Sequence, residues 1–187
     1  MITHTIWKRT IKSIGIDPGN LDFEIIDNNT HAKGYQKKNS PLNWILGLMM
    51  DKSKYMNAAE GRWKPFKNMY INGAPYGGLI GSLDGFKQYI RALLTPNFLL
   101  ISDEFKEMLF SENFTNSNKA TGMCLSWFRG NLNGQEYFTN AGGGGGYYLE
   151  IRIYPAGGLG SVVMFNRTGV KYERFLDNLD KYYIVEK

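Results

Sequence analysis

The chain has 187 residues, 43% of them hydrophobic, and a formal net charge of +5 at pH 7. That is enough apolar matter for one packed core, which excludes general disorder, and no apolar run approaches the ~20 residues that a membrane-spanning helix needs. The single cysteine excludes an internal disulfide, and with two histidines it leaves little for a zinc site.

In chain order, Met1–Arg9 lacks the charged-then-apolar layout of a signal peptide. Ile2, Ile6, Trp7, Ile11 and Ile14 approximate one helical face, ended by Gly15 and Pro18. Leu21–Ile26 reads as a short extended run, and polar residues 28–41 as a loop. Leu42–Met50 is short and apolar and reads as a buried helix. Residues 51–78 carry six Gly or Pro breakers (Gly61, Pro65, Gly73, Pro75, Gly77 and Gly78), predicting an irregular stretch that lines a cleft.

Ser82 is placed as an N-cap, followed by Phe86, Tyr89, Ile90, Leu93 and Leu94 at helical spacing until Pro96. Ser102 caps a second helix bearing Phe105, Met108 and Leu109, and polar residues 111–121 form a surface loop. From Gly122 the period changes. Strands near 122–128, 135–140, 147–154 and 160–166, joined by short Gly/Asn turns, predict an antiparallel meander. Residues 171–183 form a last helix, with Phe175, Leu176 and Leu179 facing the sheet. Helices followed by a sheet make an α+β fold, read as a single domain over 1–187. Its residues 1–121 are helical and irregular, and 122–187 hold the strands and the terminal helix.

The lysines are scattered, and the aromatics fall at core-like periodic positions. Neither pattern gives the one-sided basic face of a nucleic-acid binder. Cys124 lies in the apolar Met123–Phe128 segment and reads as a small core residue.

The most informative stretch is Phe138–Gly169. Five glycines, Gly142–Gly146, lead into a strand in which Leu149, Ile151 and Ile153 alternate with Tyr148, Glu150, Arg152 and Tyr154. Such alternation predicts burial on one face. A glycine run at a strand edge lets a ligand approach the backbone and exposes N–H groups to it. A flexible linker is the plainer alternative, but a linker does not need strand patterns on both sides.

This stretch resembles the third active-site box of the serine β-lactamase and penicillin-binding-protein superfamily, on its class C-like, esterase and D-peptidase side. There a strand carries Lys-Thr-Gly or His-x-Gly, then small residues, then Gly-Phe or Gly-Tyr. Here Asn140-Ala141-Gly142 stands in the box and Gly146-Tyr147 is the closing pair. Gly122–Phe128 is similar to the family's Gly-Leu-Gly-Trp strand, and Ala74–Ser82 to its Gly-Gly-Leu-x-Ser turn. Ser13–Pro18 is similar to the Pro-Leu-Gly-Met segment and Ala32–Tyr35 to Ala-x-Gly-Tyr. The order is the family's order. The nucleophile motif Ser-x-x-Lys is absent, since no serine here is followed three positions later by lysine. Tyr70-Ile71-Asn72 has the letters of the second box, but it directly precedes the Gly-Gly-Leu turn and reads as a loop.

The resemblance implies a partial β-lactamase/transpeptidase-like fold, the C-terminal portion of a serine hydrolase acting on an ester, a peptide amide or a lactam. It implies that Gly143 supplies an oxyanion-hole N–H, and that Asn140, Ala141, Gly142, Gly146 and Tyr147 contact substrate. It implies no cofactor, no nucleic-acid partner, and a small-molecule or cell-wall peptide-like substrate once the missing half is supplied. The chain alone is expected to be inactive and to self-associate or to bind an N-terminal half through an unpaired sheet edge. An exported, periplasmic parent stays open. The rivals are a non-catalytic binding module of the same fold and a degenerate reading frame.

Overall fold

The alternating stretch of the sequence becomes the third strand of a four-stranded antiparallel sheet. A computed structural model describes residues 11–69, 77–96, 102–170 and 175–184. The strands are β5 (Phe128–Leu132), β6 (Gln135–Gly144), β7 (Tyr147–Tyr154) and β8 (Leu159–Phe165), in spatial order β5-β6-β7-β8. Two-residue turns join the first three. Asn133 (φ 49°) with Gly134 (φ 77°), and Gly145 (φ 57°) with Gly146 (φ 84°), are both left-handed pairs. That is the turn whose twist matches the strands it connects. A 3-10 turn, Pro155–Gly157, closed by left-handed Gly158 (φ 61°), joins β7 to β8.

β7 is buried on both faces, not on one. On the first face Phe138, Ile151 and Ile153 pack into the core against Phe86, Ile90 and Leu93 of helix α2 (Leu83–Leu94). Gly160 of β8 permits this approach, because a Cβ there would strike the Ile90 side chain. On the second face Glu150, Arg152 and Tyr154 are buried as well. Arg152 donates to Glu150 Oε1 (3.0 Å) and Asp177 Oδ1 (2.5 Å) and lies 4.0 Å over the Tyr137 ring. Tyr154 donates to Asp180 Oδ2 (2.9 Å), and Ser161 to Asp180 Oδ1 (2.5 Å). Asp177 and Asp180 come from the short helix α4 (Phe175–Asp180). The C-terminal helix therefore docks through ions as well as through Leu176 and the edge-on Phe165–Phe175 pair. Leu179, expected against the sheet, is exposed, and Asp180 occupies the inward position.

Burial, and beyond it the Asp180 carboxylate, raises the Tyr154 phenol well above its ordinary value of 10.0. The native state thus keeps a proton that the unfolded chain releases from about pH 10 upward. This contribution to stability is complete below that pH and lost above it. Urea unfolding measured from pH 8 to 11 should show the midpoint falling above pH ~10 in the wild type. The fall should be shallower in Tyr154→Phe, and equal slopes in the two proteins would remove Tyr154 as its source.

Helix α2 starts where the sequence places it, with Ser82 accepting from Gly85 N. The Ser82 hydroxyl also donates to Asn20 Oδ1 (3.0 Å), beside the two-residue pairing of β1 (Leu21–Asp22) with β4 (Ile80–Gly81). Ser102 likewise caps helix α3 (Asp103–Phe110), with Leu109 against the core and Phe105 and Met108 exposed. Cys124 is a buried core residue whose thiol donates to Phe110 O (3.2 Å).

Other expectations shift. Residues 122–127 form no strand, because Gly122 (φ 70°) and Ser126 (φ 66°) break the pleat, and β5 begins at Phe128. Within the stretch read as a loop, Tyr35–Lys37 forms β2, paired antiparallel with β3 (Trp63–Pro65). The apolar run becomes helix α1 (Pro41–Met49), and its Trp44, Ile45, Leu48 and Met49 are exposed where burial was expected. Residues 1–10 of the expected first helix, Tyr70–Asn72 and Ala74–Tyr76 lie outside the described residues.

Candidate functional site

The register of the sheet leaves one edge of the glycine-rich segment open. β5 pairs with β6 only from Gln135 to Thr139, whereas β7 pairs with β6 as far as Gly144. The turn after β5 makes Leu132 and Gln135 a hydrogen-bonded closing pair, so Gln135, Tyr137 and Thr139 turn their peptide groups to β5. By strict alternation Asn140, Gly142 and Gly144 turn theirs to β7, consistent with Gly144↔Tyr147 closing the second two-residue turn. Ala141 and Gly143 then direct N–H and C=O away from β7, past the end of β5. Both residues are exposed.

Asn140 sits at the mouth of this edge. Its side-chain amide donates to the carbonyl of Ser126 (2.6 Å), tying the strand to the loop before β5. Thr139, one residue earlier, donates to Ile151 O (3.0 Å). A Cβ on Gly142 or Gly144 would meet open space, whereas one on Gly143 would lie 2.7 Å from the backbone oxygen of Tyr147. Gly143 is therefore required by the hairpin itself, apart from any ligand.

Gly146 and Tyr147 are held at the other end of the hairpin. A Cβ on Gly146 would run into the backbone of Gly34 and Tyr35, and its left-handed φ also favours glycine. Tyr147 donates to Ala32 O (2.5 Å) and its hydroxyl lies 3.1 Å from His31 Nε2. Burial raises the Tyr147 phenol and lowers His31. Tyr35 N donates to Asn166 O (2.9 Å) and Phe66 N to Gly34 O (2.9 Å). The two segments Ala32–Tyr35 and Gly146–Tyr147, far apart in sequence, thus clamp one another. Sequence reading paired neither with the other. The signal available was two glycines, each beside a tyrosine, of the kind that close backbone contact demands.

Of the six residues read as site residues, Asn140, Ala141, Gly142 and Gly143 share the open edge, and Gly146 and Tyr147 anchor its far end. Among the described residues there is no group of three or more His, Cys, Asp or Glu that could hold a metal ion. None of the helices is long and apolar enough to cross a membrane among those residues.

The fold is an α+β arrangement of antiparallel sheets of the penicillin-binding-protein type. A solved structure similar to it is the octameric penicillin-binding protein homologue from Pyrococcus abyssi, with a TM-score of 0.68 and 19% sequence identity. The match covers 95% of this chain and 36% of that one, so this chain spans about a third of the length of that protein. At such identity the likeness is one of fold. No family model and no curated protein matches the chain.

Proposed function

We propose that residues 1–187 are the C-terminal portion of a β-lactamase-related serine hydrolase domain, and that the open edge of β6 is one wall of its acyl-transfer cleft. The observation that carries this reading is the register, in which β5 ends at Phe128↔Thr139 and, among the described residues, leaves the peptide groups of Ala141 and Gly143 unopposed. An exposed edge with N–H donors is what an acyl group needs on one side. As a nucleophile attacks, charge builds on the carbonyl oxygen, and a fixed N–H stabilises it. Gly143 N–H takes that role, and Ala141 and Gly142 line the approach.

The nucleophile and the base that accepts its proton come from elsewhere in the parent, because the chain holds no Ser-x-x-Lys. Asn140, standing where the family has Lys or His, carries no charge. Its commitment to Ser126 O supports a neutral ester or amide substrate over one bound by its carboxylate. The same feature favours the second reading, a non-catalytic module that keeps the edge as a recognition surface.

The two are separated by incubation with a fluorescent fluorophosphonate. The purified chain should take up no label, while the chain fused to the segment encoded upstream, if that contains Ser-x-x-Lys, should be labelled on that serine. Stoichiometric labelling of a serine within residues 1–187 would contradict the proposal. An upstream sequence without the motif would favour the binding module.

A further inference from the structure

Helix α1 buries a polar side chain and exposes large apolar ones. Its polar Asn43 faces inward, only 3% exposed, with its amide donating to Lys38 O (2.5 Å) while Lys52 Nζ donates to Asn43 O (2.7 Å). Four of its apolar side chains, Trp44, Ile45, Leu48 and Met49, face out. Trp44 is 66% exposed, Leu48 89% and Met49 76%, with Ile45 and Met50 beside them. Trp44, Ile45, Leu48 and Met49 fall within one broad helical face.

The helix belongs to an excursion. β2 and β3 pair directly, Lys37 opposite Trp63, yet residues 38–62 intervene. Hairpin connections are usually 2–5 residues, and much longer ones are commonly functional. This excursion also surrounds a cleft of about 560 Å³, whose lining includes Trp44, Lys38, Lys52 and Lys64. Lys37 and Arg62 border the adjoining cleft. The two acids of the excursion are engaged locally. Asp51 accepts from Ser53, and Glu60 binds Lys33 (2.7 Å) and Tyr35 (2.9 Å). Among the described residues, Lys37, Lys38, Lys54, Arg62 and Lys64 form no ion pair with an acid.

An apolar face bearing Trp, Leu, Ile and Met with a basic collar is complementary to an anionic lipid surface. Protein interfaces enrich Arg and deplete Lys, whereas this collar is lysine with a single arginine. Lysines can also lay their stems along apolar matter and keep their charge at the phosphates. We propose that the 38–62 excursion is a membrane-surface contact. Trp44, Ile45, Leu48 and Met49 enter the headgroup boundary of an anionic bilayer, and Lys37, Lys38, Lys54, Arg62 and Lys64 meet lipid phosphates. This inference stands apart from the acyl-transfer reading and survives its failure.

The test is co-sedimentation of the full chain with phosphatidylcholine vesicles, with and without phosphatidylglycerol. Binding is expected to the anionic vesicles, weakened by high salt. A Trp44→Ser, Leu48→Ser variant should lose about tenfold or more in partitioning through lost apolar insertion. Lys38→Glu with Lys54→Glu should lose binding to anionic vesicles and its salt dependence. Tyr183→Ser, an exposed aromatic far along the chain, should bind as wild type. Circular dichroism establishes that each variant is folded. Absence of binding to anionic vesicles, or equal binding to neutral ones, overturns the proposal. So does light scattering that shows dimers dispersed by the Trp44 variant while vesicles capture nothing, since the face would then be an interface between copies.

Discussion

Replacing Arg152 with methionine should cost about 3–5 kcal/mol of stability, because breaking a buried ion pair leaves uncompensated charge in the interior. The case here is stronger than a single pair. Arg152 is 4% exposed at its side chain and faces Glu150, Asp177 and Asp180, the last 3.7 Å away and 2% exposed. Methionine fills much of the volume but leaves three carboxylates without their cation. For a domain of this size the melting temperature should fall by roughly 6–20 °C, taking ~2–4 °C per kcal/mol. Arg152→Lys should recover only part of this, since one ammonium cannot reproduce the planar fork that reaches Glu150 and Asp177 together. Thermal melts followed by circular dichroism provide the check. A loss below about 1 kcal/mol would mean that α4 does not seal this cluster.

The same residue shows how far the sequence could be read. The alternation of β7 was legible, and so was the strand itself, because Leu149, Ile151 and Ile153 recur with period 2. What the pattern hid was the second buried face. Glu150 and Arg152 look like solvent residues until the partners from α4, some 25 residues later, are brought above them. Sequence gives no sign of that pairing. The error at α1 has the same root. Leu42–Met50 is apolar enough for a core helix, but Asn43, tied to Lys38 and Lys52, takes the inward side. Local signals fared better. Ser82 and Ser102 cap helices because hydroxyl-to-backbone bonding is decided within three residues. The open edge was legible in part. The glycine run marked the place, but which peptide groups face outward depends on where β5 ends, a matter of register and not of composition.

Gly143→Pro is the second large effect. If the proposed role of Gly143 holds, then in an active fusion of the chain to its upstream segment it should lower the rate constant by a factor of ~10²–10³, the cost of one oxyanion donor. Proline has no N–H to donate, and an N–H that points out of the ladder is one that the sheet does not need. The Cβ of any replacement lies close to Tyr147 O, however, so strain accompanies the change. Gly143→Ala is the matched variant, since it introduces the same Cβ and keeps the N–H. The rate ratio between alanine and proline variants isolates the donor. Gly157→Ala, at a turn position where a Cβ meets open space, should leave turnover unchanged. Equal rates for the Pro and Ala variants would remove Gly143 from the oxyanion hole and return the glycine run to a purely structural role.

The most direct measurement of the proposal is a crystal structure of the chain fused to its upstream segment, after treatment with a phosphonate that would label the proposed nucleophilic serine. The phosphonyl oxygen is expected at about 2.7–3.1 Å from Gly143 N, against a β6 edge still unpaired beyond Thr139 on the side away from β7. A further strand hydrogen-bonded along Ala141–Gly143, or an adduct held by other donors, would contradict it.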